Sequence, residues 1–248
     1  MKIVVCVNHV PDTETKIKVA PDGLTIDRTG VNTMLNPYDE FAVEEALRLR
    51  EKFTGDVVAI SLGGDQHKET LRKALAMGVD RAVLLKDEST RDSFGVAAAL
   101  AEEIKQRNPD VVLFGKQSID YDGAQVGTMV AELLGLPSVA VVVQLEIHEG
   151  KAVCRREIEG GHERVETSLP AVFTAQKGLN EPRYPSLKGI MAARTKPIEE
   201  KPAAPAEQRV ETLQMRKPAA KASGRIVGTD KTAVPELIRL LHEEAKVL

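Results

Sequence analysis

Short apolar runs alternate along the first two thirds of the chain with longer segments in which apolar residues recur at helical spacing. An unbroken apolar run is typical of a strand buried on both faces, and its alternation with helices favours a parallel, doubly wound α/β sheet with right-handed crossovers. Strands are predicted over residues 2–8, 56–64, 81–86, 111–115, 139–143 and 170–175, and helices over residues 38–52, 68–77, 93–107, 128–134 and 188–194.

The pattern changes after the fifth predicted strand. Apolar and polar residues alternate singly, and glycines stand at the turns between the alternating segments, at residues 143–148, 152–158 and 163–169. Single alternation with glycine turns predicts an antiparallel meander attached to the sheet.

The last part of the chain has a different composition. Residues 196–225 are rich in proline and charge and predict an extended linker, and residues 234–248 predict an amphipathic helix. We therefore expect an α/β domain over residues 1–195 and an arm over residues 196–248. The helix of the arm would dock either on its own domain or on another subunit.

The predicted strand at residues 111–115 leads into a polar loop that contains Gly123 and Gly127, and then into a short helix. Strand, loop and helix N-terminus in this order can hold an anion, because first-turn amides are unpaired and the helix dipole favours a phosphate. The loop matches neither a Walker loop nor G-x-G-x-x-G, so an ordinary strand-to-helix turn is an equal alternative. Two other strand exits, Asn8-His9 and Leu62-Gly63-Gly64, would meet this loop at one edge of a parallel sheet.

Polar residues near these elements suggest local roles. Asn36 is expected to cap the helix that follows it, and Asp39 lies near the positive end of that helix. Asp120 and Asp122 suit ribose hydroxyls, Mg²⁺ or a helix cap, and capping is the expectation. His9 is expected to be a solvated loop histidine.

Composition narrows the function classes. The net charge of −3 gives no electrostatic case for nucleic acid, and an aromatic content of 3% without tryptophan argues against a base-stacking surface. No apolar run approaches the roughly 20 residues of a membrane helix, and no targeting segment is expected. Two distant cysteines favour a cytoplasmic protein, and five scattered histidines show no metal-ligand spacing. With no nucleophile elbow either, the sequence predicts a nucleotide-like pocket without catalytic or metal-binding residues.

Five segments occur together in an order and at a spacing typical of one family. They cover residues 36–46, 74–82, 115–120, 156–161 and 179–184. Up to about residue 195 the chain resembles the beta subunit of electron-transfer flavoprotein. The resemblance implies a Rossmann-like, adenine-nucleotide-binding fold that carries a structural AMP. It also implies a heterodimer with an alpha subunit, which holds most of the redox-active FAD.

The resemblance further implies an electron carrier without catalysis of its own. Such a carrier takes electrons from flavoprotein dehydrogenases of the acyl-CoA type and passes them to a membrane quinone reductase, without inserting into the membrane itself. Its partner-recognition segment matches residues 179–193, with Leu187 as an exposed anchor beside Arg183 and Tyr184, and its arm wraps the alpha subunit. The AMP-binding positions of the family match Cys6, Asn36, Pro37, Tyr38, Asp39, Leu62, Gly115, Lys116, Gln117, Asp120, Gly123, Ala124, Gln125 and Val126.

Two sequence features bear on which nucleotide the resemblance implies, and two other functions are alternatives to it. The loop sequence Ala124-Gln125-Val126-Gly127 is closer to electron-bifurcating members, in which a second FAD replaces AMP, but residues 88–95 lack the Gly/Ala-Asp-Thr pattern of those members. AMP is therefore favoured. A nucleotide-dependent ligase or hydrolase would need an S-G-G-x-D loop after the first strand, and residues 7–12 lack its glycines. A self-dimerising nucleotide-binding module would leave the arm without a role.

Overall fold

The structure is a computed structural model that describes residues 1–220 and 223–248; residues 221–222 of the predicted linker lie outside the described residues. Its strands are β1 (Lys2–Cys6), β2 (His9–Pro11), β3 (Thr33–Leu35), β4 (Asp56–Gly63), β5 (Arg81–Lys86), β6 (Val111–Gly115), β7 (Ser138–His148), β8 (Lys151–Ile158), β9 (Gly161–Ser168), β10 (Ala171–Ala175) and β11 (Ile198–Pro202). Its α-helices are α1 (Pro37–Phe53), α2 (His67–Met77), α3 (Ser93–Arg107), α4 (Val126–Leu134), α5 (Leu187–Thr195) and α6 (Val234–Arg239).

Nine strands of the described chain form one sheet, in the order β11-β5-β4-β1-β6-β10-β7-β8-β9. Neighbours from β11 to β7 are parallel, and β8 and β9 extend the sheet as the antiparallel meander. The predicted α/β class, with a doubly wound and mostly parallel sheet, is confirmed. The chain runs outward from β1 through β4 to β5 and then returns to β6 on the other side of β1. The topological switch point therefore lies between β1 and β6.

Helices cover both faces of the parallel strands, and a buried apolar layer lies beneath each set. Alternate residues of β1 point to opposite faces, so Val5 packs towards α1 and α2, whereas Val4 and Cys6 pack towards α3 and α4. This burial on both faces explains the unbroken apolar runs of the sequence. Through Ala193, α5 joins the layer that contains α1 and α2.

β7 is one continuous strand, where the sequence predicted a core strand and a separate meander strand. It pairs with β10 near its start and with β8 further on, and the register shifts near Val141. Val141 has a φ of 61°, which is unusual for a β-branched residue, and its amide donates to the Thr174 hydroxyl at 2.9 Å. This irregularity lets one strand leave the parallel sheet and continue into the meander.

The predicted linker was wrong at its beginning. The sequence predicted a linker from residue 196, but Ile198–Pro202 pairs in parallel with β5 as the edge strand of the main sheet. The charged residues that favoured a linker are satisfied by ion pairs at this edge, as between Lys201 and Glu103. The extended part of the arm therefore begins after Pro202, and the boundary expected at residue 195 cuts through the sheet.

The terminal helix is shorter than the sequence predicted. A three-ten turn leads into α6, and a π-turn over Leu240–Glu244 ends the helical segment before the chain terminus. Leu237 and Ile238, two members of the predicted apolar stripe, are exposed. The part of the stripe on α6 therefore faces solvent in the isolated chain, whereas Leu241 is half-buried.

Candidate functional site

One buried carboxylate joins the strand ends on both sides of the switch point. Asp39 lies in the first turn of α1, and its two oxygens accept hydrogen bonds from the Asn8 amide at 2.8 Å and the Gly115 amide at 3.0 Å. Asn8 follows β1, and Gly115 ends β6. Asp39 therefore holds these two exits against the N-terminal end of α1. The sequence indicated only its favourable place near the helix dipole.

Burial affects the charge of this carboxylate. Asp39 is only 6% exposed, and burial raises its pKa from 3.8 to about 7. Hydrogen bonds from Asn8, Asn36 and Gly115 act in the opposite direction, because they stabilise the ionised form. We call Asp39 with its two amide hydrogen bonds the clamp. The carboxyl group of the clamp consequently changes its protonation near neutral pH.

Asn36 precedes α1, but its side chain does not cap the helix. The residue is fully buried; its side-chain amide donates to the Gln117 carbonyl at 2.9 Å and accepts from the Ile119 amide at 3.3 Å. The expected side-chain cap was wrong because two backbone groups of the loop after β6 take both ends of this amide. Asn36 therefore fixes that loop to the start of α1.

Side chains within the loop also stabilise its shape. Asn8 donates to Asp120 at 3.3 Å, and Gln117 donates to Asp122 at 2.6 Å. Asp122 and Ala124 have φ values of 51° and 50°, which L-residues adopt when their surroundings hold them there. Neither aspartate caps α4, so the expected capping role was wrong.

Two glycines are required by close packing around the loop. A Cβ at Gly115 would lie 2.7 Å from the backbone of Tyr38. A Cβ at Gly127 would lie 2.8 Å from the methyl group of Thr174, so this glycine serves helix–strand packing. A Cβ at Gly123 would meet only ordinary contacts, the nearest at 3.6 Å. Close packing therefore requires glycine at positions 115 and 127, whereas space remains beside Gly123.

Other predicted nucleotide-binding residues lie around the same loop. The Lys116 ammonium is 5.2 Å from the centre of the Tyr38 ring, a cation–π arrangement. Gln125 donates to the Ser93 hydroxyl at 2.9 Å and thereby ties the end of the loop to α3. Val126 begins α4, whose first-turn amides have no acceptor within the helix.

Cys6 and Leu62 lie at the ends of neighbouring strands. Leu62 is half-buried near the end of β4. Cys6 is buried, and this burial raises the pKa of its thiol well above the usual value, with a smaller effect from Asp39. Cys6 therefore ends β1 as a small uncharged group near Asp39.

A buried histidine pair beside the site was missed by the sequence analysis. The rings of His9 and His67 lie 5.1 Å apart, with Nδ1 of His9 2.9 Å from the Thr70 hydroxyl and Nδ1 of His67 2.8 Å from the Ser61 hydroxyl. Burial lowers the pKa of both rings, that of His67 to about 4. The expectation of a solvated His9 was wrong, because α2 covers the exits of β1 and β4 with a second imidazole.

The predicted partner-recognition segment is fixed at one point and exposed beyond it. The Arg183 guanidinium forms ion pairs with Glu44 at 2.8 Å and with Glu51 at 2.6 Å, both on α1. Tyr184 and Leu187 are 95% and 84% exposed. Arg183 therefore anchors the segment to its own domain, and the two apolar side chains beyond it face solvent.

Residues 1–220 and 223–248 contain neither a metal-ligand cluster nor a bilayer-spanning helix. In these residues, no three histidine, cysteine or carboxylate side chains are grouped so that they could hold a metal ion. Among the helices described there, none combines the length and apolar character needed to span a bilayer.

The fold and site define a parallel α/β protein with an ordered polar loop at its switch point, and sequence comparisons identify its family. The model of the electron transfer flavoprotein domain matches residues 23–206. The beta subunit of the electron transfer flavoprotein from Syntrophomonas wolfei is 48% identical, over all of this chain and 98% of its own length. Those of Bacillus subtilis and, in mitochondria, Arabidopsis thaliana are each 38% identical over the whole of both chains.

The chain belongs to the electron transfer flavoprotein family, among its beta subunits. Membership makes it part of an electron carrier that is associated with flavin, and a beta subunit implies an alpha partner.

Replacement of Asp39 by Asn tests the clamp. Asparagine offers one acceptor and one donor where two amides need two acceptors, so one buried amide loses its partner. We expect Asp39→Asn to lower the free energy of unfolding by about 2–3 kcal/mol in urea titrations. The control Asp65→Asn removes a surface carboxylate beside Lys68 and Lys86 and should cost less than about 1 kcal/mol. Equal losses for the two variants would contradict a structural clamp.

The buried His67 predicts a pH dependence of stability. Its pKa falls from 6.5 in the unfolded chain to about 4 in the fold, so its contribution is complete above pH 6.5 and is lost as the pH falls towards 4. Asp39 acts oppositely, since its raised pKa contributes stability that is lost as the pH rises from 3.8 to about 7. The variant His67→Gln isolates the contribution of this histidine. Between pH 6.5 and 5, its free energy of unfolding should fall by about 2 kcal/mol less than that of the wild type. Exposed His148→Gln is the control, and identical pH profiles of all three proteins would reject the assignment.

Proposed function

We propose that this chain is the nucleotide-holding, non-catalytic subunit of a heterodimeric electron carrier. The carrier takes electrons from flavoprotein dehydrogenases of the acyl-CoA type and delivers them towards a membrane quinone reductase. The alpha subunit holds most of the redox-active FAD, and this chain holds AMP at the switch point. The observation that carries the nucleotide assignment is the preformed loop at residues 115–126, which Asn36, Asp39 and Ser93 fix on separate sides.

The residues of this loop suit an adenine nucleotide. First-turn amides of α4 and the Lys116 ammonium provide positive charge for a phosphate. Asp120 and Gln125 provide polar groups for hydroxyls, and the space beside Gly123 leaves the loop backbone accessible. A bound AMP would supply charge and shape to the loop and no redox chemistry. The chain's own residues bind and orient it.

A second FAD in the same place is the competing assignment. The sequence Ala124-Gln125-Val126-Gly127 favours it, since these residues are closer to bifurcating relatives. Against a second FAD, residues 88–95 lack the bifurcating pattern, and Ser93 among them accepts a hydrogen bond from Gln125 of the loop. AMP therefore remains the favoured occupant.

The exposed end of the recognition segment is proposed to contact the redox partners. Leu187 starts α5, with Ser186 as its cap, so the anchor projects from an ordered helix end. Arg183 acts as a positioning residue, because Glu44 and Glu51 already occupy its guanidinium. A small exposed anchor on a rigid support suits transient binding, which a carrier that serves several partners requires.

The C-terminal arm and the two cysteines support two further parts of the proposal. The exposed apolar stripe of α6 is proposed to dock on the alpha subunit. The unpaired, buried Cys6 and Cys154 fit a reducing compartment, and we place the carrier in the cytoplasm.

The nucleotide assignment is tested by mass spectrometry of the ligands released when the purified heterodimer is denatured. We expect one FAD and one AMP; two FAD would support bifurcation, and no nucleotide beyond the alpha-subunit FAD would reject the site. Gly115→Ala should displace Asp39 and Tyr38 and lower AMP affinity by about tenfold, which equals about 1.4 kcal/mol, with FAD retained. Gly161→Ala is the control, because a Cβ there meets nothing within 4 Å.

The anchor assignment is tested by Leu187→Ala. Burial of a leucine side chain in a partner pocket contributes about 1.5–3 kcal/mol, so electron transfer at low dehydrogenase concentration should fall roughly ten- to hundredfold. Flavin content should stay unchanged, since Leu187 is exposed and far in sequence from the loop. Leu24→Ala, at another exposed leucine outside the recognition segment, is the control. If transfer kinetics are the same in both variants, Leu187 is not the anchor.

A further inference from the structure

The first part of the arm beyond β11 is attached to the domain at several points. We call residues 203–215 the strap. The Ala203 amide donates to the Lys86 carbonyl at 3.1 Å, and the Met215 amide donates to the Gly23 carbonyl at 2.7 Å. The strap therefore runs from the exit of β5 to the excursion between β2 and β3, along the same edge of the sheet as the nucleotide loop.

The middle of the strap is held by Asp92. One oxygen of this carboxylate accepts from the Gly95 amide at 2.7 Å and caps α3. The other oxygen accepts from the amides of Arg209 and Val210, at 2.7 and 2.8 Å. The Arg209 guanidinium also lies 3.6 Å from the centre of the Phe94 ring. A single side chain therefore joins the strap to the N-terminal end of α3.

The next residue of α3 holds the nucleotide loop. The Ser93 hydroxyl accepts from the Gln125 side chain at 2.9 Å, and Gln125 is the residue before α4. Because Asp92 and Ser93 are consecutive at one helix end, a shift of that end moves both contacts together. The loop is attached on its other side to Asn36, whose side chain bonds to the backbone of Gln117 and Ile119.

We propose that the strap retains the nucleotide: its attachment at Asp92 keeps Ser93 in place, Ser93 holds Gln125, and release of the strap opens this side of the loop. The inference rests on the proposed nucleotide site and adds the element that controls exchange at it. Coupling between two sites is reciprocal in binding free energy, so bound nucleotide also keeps the strap attached. Exchange then depends on the arm that is proposed to dock on the alpha subunit.

The test measures AMP dissociation from the heterodimer, by chase of labelled AMP with excess unlabelled AMP. Asp92→Asn keeps an oxygen for the α3 cap but presents an amide donor to the two strap amides. We expect it to speed AMP loss roughly fivefold or more, within the usual range for coupled sites, and Arg209→Ala to do so less strongly. Arg216→Ala removes an exposed arginine whose side chain makes no hydrogen bond to the described residues, and should change nothing.

Hydrogen exchange at the amides of Arg209 and Val210 gives a second readout. Bound AMP should slow their exchange in the wild type. In Ser93→Ala, AMP should leave faster and its effect on strap exchange should disappear. This result is specific to coupling through α3, because a merely structural strap would remain insensitive to Ser93.

The outcomes separate the strap from the site. A wild-type heterodimer that binds neither AMP nor FAD at this loop overturns the proposed site and the strap with it. If the wild type binds the nucleotide but AMP dissociates at the same rate from Asp92→Asn, Arg209→Ala and Arg216→Ala, the proposed role of the strap is wrong and the proposed site stands. Should Asp92→Asn fail to fold, Arg209→Ala decides the matter, since its side chain is exposed and supports no helix cap.

Discussion

The contact on which the site depends is the pair of hydrogen bonds from the Asn8 and Gly115 amides to Asp39. At a switch point, the connections from two neighbouring parallel strands run in opposite directions. A crevice therefore opens between the carboxyl ends of these strands. Two backbone donors there would need partners, and one carboxylate from α1 satisfies both. This arrangement fixes the distance between the exits of β1 and β6. A ligand that enters the crevice therefore meets a prepared surface and orders little on binding.

Helix α1 links this prepared surface to the recognition segment. Its first turn carries Asp39, and its later turns carry Glu44 and Glu51, which hold Arg183. The crevice and the segment that leads to Leu187 are thus mounted on one helix packed against the sheet. The shared helix would therefore hold the proposed docking surface in a constant geometry relative to the crevice.

The buried strands and most helices could be predicted from the sequence because they depend on local periodicity. β11 could not be predicted, since its charged residues are typical of a linker. Their partners, such as Glu103, are distant in sequence and meet them only in the folded chain. The meeting of the strand exits at one edge of the sheet could be predicted, but the side-chain contacts between them could not. The cap expected of Asn36 was lost to the backbone of Gln117 and Ile119, which are distant in sequence. His67 gave no usable signal, because its burial arises only when α2 covers the end of β4.

The two sides of the loop at residues 115–126 differ in how firmly they are held. On one side, the fully buried Asn36 makes two hydrogen bonds to the loop backbone, where no water competes. On the other side, an exposed hydrogen bond joins the Gln125 side chain to the Ser93 hydroxyl at a helix end. Local opening favours the side with fewer buried contacts, so motion of the loop should begin at Gln125. The strap attaches to the domain at this weaker side, where a surface segment can influence the loop without disturbing the buried clamp.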